Sequence, residues 1–201
     1  MRLITLSQCV PPRPPAAVAL GTFDGVHLGH QALLNATAEA ARKKGLLPCA
    51  FTFDVPPASV LGHQPCRVLT DIETKAALMG RCGIDTVISS PFDDGVASHT
   101  AEAFFHGLLL GTLNARHIVI GFHYHFGRFA QGDAQLMERF CREAGVGLTV
   151  VPPVCLEDGQ LVSSSAIRAY LAENNRQRAE EMLNRPLTPR EEALLGGRYD
   201  E

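Results

Sequence analysis

Residues 16–30 read Ala-Ala-Val-Ala-Leu-Gly-Thr-Phe-Asp-Gly-Val-His-Leu-Gly-His, an apolar run that stops at a glycine and is followed by two histidines. The run 16–20 is short and continuously apolar, which predicts a strand buried on both faces. Residues 31–44 have helical spacing, with a basic last turn and a glycine directly after it as a stop signal. The sequence therefore predicts that His27 and His30 lie at or just before the N-terminus of a helix that follows a buried strand.

The N-terminus of this predicted helix would be a favourable place to bind an anion. Unpaired backbone N–H groups and the helix dipole at a helix N-terminus favour a negative charge by about 0.3–1 kcal/mol. His27 and His30 would share one side of the helix start and add donors, while Gly29 leaves room for a phosphate to approach the backbone. The alternative is that both histidines are ordinary polar caps at a surface turn. A zinc pair is disfavoured, because no further Cys or His cluster supplies the remaining ligands.

The rest of the chain alternates apolar runs with helical stretches. Strands are expected at 16–20, 47–53, 86–89, 117–120 and 147–151, and helices at 31–44, 72–81, 101–110, 134–144, 166–172 and 176–183. This alternation predicts an α/β fold, a Rossmann-like parallel sheet flanked by helices on both faces, with ligands beyond the C-terminal ends of the strands. We expect one domain over residues 1–184 and a short polar C-terminal tail over 185–201.

Composition excludes several classes of protein. The 201 residues, 46% hydrophobic and 19% charged, suffice for one α/β domain with a substantial core. A net charge of −3 gives no general attraction to nucleic acid or to an anionic membrane. No apolar run is long enough to cross a bilayer and the N-terminus lacks a signal-peptide core, so a cytoplasmic location is expected. The cysteines show no metal or redox spacing and are expected to be reduced; they are Cys9, Cys49, Cys66, Cys82, Cys141 and Cys155.

A serine cluster provides a second distinctive element. Ser163, Ser164 and Ser165 precede the helical stretch 166–172 and make a good N-cap, and Arg168 lies near the first turn of that helix. Taken alone, this is a capping motif with a surface arginine.

The decapeptide Gly-Thr-Phe-Asp-Gly-Val-His-Leu-Gly-His at 21–30 resembles the signature of the bacterial FAD synthetase family, whose adenylyltransferase module belongs to the H-x-G-H nucleotidyltransferases. Later segments resemble further family motifs in the same order. They are Phe-Thr-Phe-Asp-Val-Pro-Pro at 51–57, Pro-Phe-Asp at 91–93 with Ala-Glu-Ala-Phe at 101–104, Val-Ile-Gly-Phe-His-Tyr-His-Phe-Gly at 119–127 with Gly-Asp at 132–133, and Val-Ser-Ser-Ser-Ala-Ile-Arg at 162–168. The resemblance covers nearly the whole chain.

The resemblance implies an FMN adenylyltransferase, which transfers AMP from ATP to the phosphate of FMN and gives FAD and pyrophosphate, with Mg²⁺ bridging phosphates and no covalent enzyme intermediate. It assigns His27 and His30 to the α-phosphate, and Ser164 and Arg168 to the β- and γ-phosphates that leave as pyrophosphate. Other residues implied to bind substrate are Gly21, Thr22, Phe23, Asp24, Gly29, Phe53, Asp54, His123, Phe126, Ser163 and Ser165. We assign no residue of the chain as a metal ligand.

Known bacterial members continue into a riboflavin kinase domain that has no counterpart in this sequence. We therefore expect ATP and FMN as the substrates and a separate riboflavin kinase as the source of FMN.

The chain departs from the family pattern in the expected substrate cleft. It has Val55-Pro56-Pro57 where the family has Pro-His-Pro, and His123 where the family has Asp or Asn. These differences keep open a nucleotidyltransferase for another phosphorylated acceptor. A non-catalytic flavin or nucleotide sensor is the other alternative, disfavoured because a binding module does not need groups aimed at a transition state. His123 and His125 either bond locally or contact a substrate phosphate or the flavin.

Three smaller expectations concern single side chains. Asp24 could orient its loop, line a ribose site or cap a turn. Lys75, at the start of a helix, is expected to be solvated. Four phenylalanines are expected in the core rather than as a stacking platform, although a flavin site needs some apolar wall; they are Phe53, Phe92, Phe126 and Phe129.

Overall fold

A parallel sheet forms the centre of the computed structural model, which describes residues 1–56 and 67–196. Within those residues the sheet has six strands in the order β1-β4-β3-β2-β5-β6. The strands are β1 (Arg2–Thr5), β2 (Ala16–Leu20), β3 (Leu47–Phe53), β4 (Thr86–Ser90), β5 (Ala115–Gly121) and β6 (Gly147–Val151). The predicted Rossmann-like parallel sheet is confirmed, with β1 as an edge strand that the sequence did not indicate.

Helices cover both faces of this sheet. They are α1 (Leu28–Lys44), α2 (Ile72–Arg81), α3 (Asp94–Ala97), a π-helix (Ala103–Thr112), α4 (Ala134–Ala144), α5 (Ser164–Ala172), α6 (Arg176–Leu183) and α7 (Pro189–Gly196). One buried cluster packs α1 and α2 against the sheet through Leu34 and Met79. The other packs the π-helix and α4 through Phe105 and Phe140. The expectation of helices on both faces is therefore confirmed.

Strand β2 lies inside the sheet, and every residue in it is buried. It pairs with β3 on one side, where Leu20 faces Phe51, and with β5 on the other, where Ala19 faces Val119. Since all of these strands run parallel, the loops after β2, β3 and β5 emerge at the same edge of the sheet.

Helix α1 begins at Leu28, three residues before the predicted start at Gln31. Its N-cap is His27, whose Nδ1 accepts a hydrogen bond from the backbone N–H of His30 at 3.4 Å. Imidazole is not among the usual capping groups, so the start of the helix was predicted too late, although His27 does cap it as the alternative reading of the histidines had it. The predicted end is correct, because Gly45 adopts the left-handed conformation at φ 64°.

The helix predicted over 101–110 is a π-helix over Ala103–Thr112. The backbone N–H of Leu113 bonds to the carbonyl of Leu108, five residues earlier, at 2.9 Å. Both helix types bury one face of an apolar segment, so the pattern of hydrophobic residues does not distinguish them over three turns.

Residues 185–196 pack against the domain, where a polar tail over 185–201 was expected; residues 197–201 lie outside the described residues. It contains α7, and Leu187 and Leu195 pack against a buried cluster that includes Ile167 and Met182. Glu191 of α7 is only 1% exposed. Composition suggested a tail because the segment is polar, but its charged groups are satisfied by contacts with distant parts of the chain.

Two of the remaining expectations can be compared with the described residues. No helix there is long and apolar enough to span a membrane. The cysteines at 9, 49, 82, 141 and 155 are free thiols. Cys66, and Pro57 of the altered cleft motif, lie outside the described residues.

Candidate active site

His27 and His30 form a stacked pair at the N-terminus of α1. Their ring centroids are 3.6 Å apart and the ring planes differ by 17°. Phe23 packs edge-on against His30 with a centroid distance of 5.2 Å. The expectation that both rings share one side of the helix start is confirmed. Gly29 leaves room for this stack, since a Cβ there would lie 3.2 Å from Cε1 of His27 and would press on the ring.

Both imidazoles are neutral at physiological pH. Burial lowers the pKa of His27 to about 4. Burial also lowers the pKa of His30 well below its ordinary value, and the nearby His27 and Lys75 lower it further. Each ring therefore carries one N–H donor and one acceptor nitrogen. Nδ1 of His30 is buried without a hydrogen-bond partner among the described residues, which leaves this nitrogen free to meet a polar ligand atom.

Asp24 joins the histidine loop to two other parts of the chain. It is 1% exposed. Its carboxylate accepts the backbone N–H groups of Leu69 at 3.0 Å and of Thr70 at 3.1 Å. The same carboxylate accepts a hydrogen bond from Nη2 of Arg168. Among the roles expected for Asp24, these contacts correspond to orienting the loops and not to capping its own turn.

The serine element and the histidine loop meet through this aspartate. Ser164 Oγ donates to the backbone carbonyl of Asp24 at 2.8 Å. Arg168 donates from Nε to the backbone carbonyl of Arg67 at 2.7 Å, in addition to its bond with Asp24. Helix α5 begins at Ser164, two residues earlier than predicted, with Ser163 as its N-cap. Two elements about 140 positions apart in the sequence thus form one surface, and Ser165 lies exposed beside them.

Sequence reasoning placed Lys75 wrongly. It lies in the first turn of α2 and is 0% exposed, where a solvated side chain was expected. Its Nζ donates to the carbonyl of Phe53 at 3.0 Å, at the end of β3. Burial lowers its pKa, and the charges of Asp24, Asp54 and Asp71 oppose that effect. A signal was available in the sequence, because Lys75 shares the apolar face of α2 with the buried Leu78 and Met79.

The turn after β5 carries His123 and His125, both exposed. His125 Nδ1 lies 3.0 Å from the carbonyl oxygen of His123. The ring of His123 lies against Phe122 with a centroid distance of 3.6 Å. These contacts are local, which corresponds to the alternative in which the two histidines bond to neighbouring residues.

The aromatic residues near the same sheet edge divide into two groups. Phe126 is buried and packs on Phe104 at a centroid distance of 5.7 Å, and Phe53, half-buried, meets Phe92 at 5.1 Å. Phe129 is 79% exposed, so the expectation of a core position was wrong. Phe129 lies in a short 3-10 turn with a left-handed backbone at φ 57°, and the guanidinium of Arg128 lies 4.7 Å from the centroid of its ring.

The remaining candidate residues lie in the loops after β2 and β3. Gly21 is in contact with Phe23, whose ring would be 3.1 Å from a Cβ at that position. The carbonyl of Thr22 accepts a hydrogen bond from Thr52 Oγ1 at 2.9 Å. Asp54 donates its backbone N–H to the carbonyl of Ser90 at 3.1 Å. Over residues 1–56 and 67–196, no group of three or more His, Cys, Asp and Glu side chains is arranged to hold a metal ion.

Comparison with known proteins gives one consistent family. The family model for FAD synthetase matches residues 11–166. The bifunctional riboflavin kinase/FMN adenylyltransferase of Escherichia coli (strain K12) is 34% identical over 183 residues, which are 90% of this chain and 57% of that protein. The FAD synthetase of Listeria monocytogenes (serovar 1/2a) is 33% identical over 174 residues, which are 85% of this chain and 69% of that protein.

A solved structure from Streptococcus pneumoniae, described as a macrolide-efflux protein, has a TM-score of 0.81 at 29% identity and covers 93% of this chain and 63% of that one. The chain spans little more than half the length of the Escherichia coli relative. The family match includes the stacked histidines and the start of the serine element. This chain therefore belongs to the FAD synthetase family.

Proposed function

We propose that this chain transfers the adenylyl group of ATP to FMN. An oxygen of the FMN phosphate forms a bond to the α-phosphorus of ATP, and the bond from that phosphorus to the bridging oxygen of the β-phosphate breaks. The products are FAD and pyrophosphate. The observation that carries the proposal is the stacked, neutral pair of His27 and His30 at a helix N-terminus, linked through Asp24 to Ser164 and Arg168.

The histidines suit the α-phosphate, where negative charge builds up as the bond to pyrophosphate lengthens. A neutral imidazole donates through one nitrogen without attracting a counter-anion in the resting protein. The unpartnered Nδ1 of His30 and the N-terminal amides of α1 add polar groups on the same side. These groups act by position and need no proton transfer.

Arg168 suits the leaving pyrophosphate. Its bonds to Asp24 and to the carbonyl of Arg67 use Nε and Nη2, while a guanidinium has donors on all three nitrogens. Phosphate oxygens of the β- and γ-groups can take a bidentate pair of these donors. Ser164 starts α5 and brings the N-terminus of a second helix to the site, while its hydroxyl donates to the carbonyl of Asp24 and so ties that helix to the histidine loop.

Mg²⁺ belongs to the substrate in this scheme. It prefers phosphate oxygens and water and uses one or two protein carboxylates. Asp54, at the end of β3, is a carboxylate that could approach a phosphate-bound ion from the same sheet edge. The ion neutralises phosphate charge that the neutral histidines do not.

The acceptor is FMN in this proposal, because the Escherichia coli relative is named an FMN adenylyltransferase and the half-buried Phe53 offers an apolar surface at the end of β3, on the same sheet edge as the histidine loop. We therefore expect FAD from MgATP and FMN, with pyrophosphate in equal amount, when the flavins are separated by chromatography. Replacing FMN with riboflavin tests the expectation that a separate riboflavin kinase supplies FMN.

The variant His30→Gln should lose about a hundredfold in kcat, as loss of one transition-state donor does elsewhere. His106→Gln, an exposed histidine on the π-helix, is the matched control and should keep the wild-type rate. Pyrophosphate release only with another phosphorylated acceptor would assign the chain to the alternative nucleotidyltransferase. Tight FAD binding without any pyrophosphate release would assign it to the sensor.

A further inference from the structure

The loop between β2 and α1 has an unfavourable backbone conformation. Phe23 has a φ of 50° and Val26 a φ of 45°, both in the left-handed region that side chains rarely adopt, and Val is β-branched. Gly25, between them, has a φ of 85°. Strained segments of this kind persist only where the surrounding structure holds them from several sides. The question is which residues hold this loop.

Gly25 is held at both of its polar backbone groups. Its N–H donates to Thr70 Oγ1 at 3.1 Å, and its carbonyl accepts from Nη2 of Arg185 at 2.9 Å. Both partners meet at Glu191, which accepts from Thr70 Oγ1 at 2.8 Å and from the two Nη atoms of Arg185 at 2.7 Å. The four residues form a closed ring of hydrogen bonds, which we call the Gly25 clamp.

The clamp is charged and buried. Glu191 is 1% exposed. Burial raises the pKa of Glu191, but the hydrogen bonds and charge of Arg185 and the hydrogen bonds from Thr188 and Thr70 lower it overall, so the carboxylate stays ionised. A buried ion pair gives little net stability compared with apolar residues of the same size, because both ions lose their hydration. The benefit of such a pair is that it fixes the positions of its side chains. Here the fixed side chains of Arg185 and Thr70 hold the backbone of Gly25.

The hydroxyl of Thr70 connects Glu191 to the backbone of Gly25. Because Thr70 donates its one hydroxyl proton to Glu191, its lone pairs are left to accept the N–H of Gly25. A second tie supports the same loop: Gln31 Nε2 donates to the carbonyls of Val26 at 3.0 Å and Leu183 at 2.9 Å.

We propose that Arg185 and Glu191, in the segment 185–191, are positioning residues of the active site. Through the Gly25 clamp they fix the loop that ends at His27 and so aim the N-terminus of α1 at the α-phosphate of ATP. The named reaction rests on the proposed function, while the clamp itself rests on the contacts above. The segment 185–191 then contributes to the nucleotide site by holding the loop before α1 in place.

Two nearly isosteric variants test the clamp. Thr70→Val removes the hydroxyl that relays Glu191 to Gly25, and Glu191→Gln removes the charge opposite Arg185. We expect kcat for FAD formation to fall about 10- to 100-fold in both, with a smaller change in KM for ATP, because misplacement of a catalytic group affects the transition state most. Hydrogen exchange at the amide of Gly25 should become faster in both.

Controls separate this role from general stability. Glu192 follows Glu191 on α7, is exposed and pairs with Arg176 of α6. The variant Glu192→Gln removes this charge and should leave kcat and the hydrogen exchange at Gly25 unchanged. Thr70→Ser keeps the hydroxyl and should restore most of the rate lost in Thr70→Val.

The proposal is overturned if Thr70→Val and Glu191→Gln lower the melting temperature but keep the wild-type kcat per folded molecule. It is also overturned if Thr70→Ser is as slow as Thr70→Val. If the wild-type protein makes no FAD from FMN, the proposed function fails. The clamp is then judged on MgATP affinity and on exchange at Gly25, and unchanged values in both variants refute it.

Discussion

Acidification should destabilise this protein through His27. The pKa of His27 is about 4 in the folded chain, against 6.5 for an ordinary histidine, because burial disfavours the charged ring. The unfolded chain therefore binds a proton at higher pH than the folded chain does. The contribution of neutral His27 to stability is complete above pH 6.5 and is lost as the pH falls towards 4. At 1.36 kcal/mol per pKa unit, the loss at pH 4 is about 3 kcal/mol.

The assay is urea unfolding of the wild type and of His27→Asn between pH 7 and pH 4. Asparagine is a good N-cap that does not titrate, so this variant keeps the start of α1 while removing the proton-binding group. We expect the free energy of unfolding of the wild type to fall by about 3 kcal/mol more than that of the variant over this range. His125→Asn, at an exposed histidine, should behave like the wild type. Parallel curves for the wild type and His27→Asn would refute the reasoning.

Three further substitutions have defined outcomes. Asp24→Asn should lower the free energy of unfolding by about 3 kcal/mol in urea titrations at low and high salt alike, because the guanidinium it pairs with loses a buried partner. Lys75→Met should move the acid limb of the kcat–pH profile to higher pH, because the charge of Lys75 lowers the pKa of His30. Gly132→Ala should lower the free energy of unfolding by about 1–3 kcal/mol, because its Cβ would lie 2.6 Å from the buried ring of Phe126.

Matched changes separate these effects from general sensitivity to mutation. Glu39→Gln removes an exposed partner of Lys43 and should change the free energy of unfolding by less than about 0.5 kcal/mol. Gly107→Ala adds a methyl group where the described residues leave open space, and should be tolerated. An Asp24→Asn effect that disappears in high salt, an acid limb unmoved in Lys75→Met, or a harmless Gly132→Ala would each contradict the corresponding argument.

The sequence predicted the central part of the fold because the signals there are local. An unbroken apolar run at 16–20 predicted β2, and the left-handed Gly45 was recognisable as the end of α1. The H-x-G-H spacing placed His27 and His30 on one side of a helix start, where the rings stack. Each of these inferences uses residues within one turn or one strand of each other.

The sequence did not predict features that depend on distant partners. Strand β1 is four residues long and mostly exposed, and only its pairing with β4 identifies it. The helical spacing of Lys75 with Leu78 and Met79 indicated a buried face, but the polar partner that makes burial of its ammonium group possible, the carbonyl of Phe53, comes from β3. Glu191 looks like part of a polar tail, because Arg185 and Thr70 become its partners only in the folded chain.

The Gly25 clamp also has a consequence for synthesis of the protein. Arg185 and Gly25 are 160 positions apart in sequence, so the loop that holds His27 cannot reach its final conformation until the C-terminal segment has left the ribosome. Contacts of such high sequence separation also cost chain entropy to close, which slows folding. A nascent chain that already displays β2 and α1 would therefore lack the Gly25 clamp, and on our proposal it would gain a correctly aimed nucleotide site only after residues 185–191 have been made.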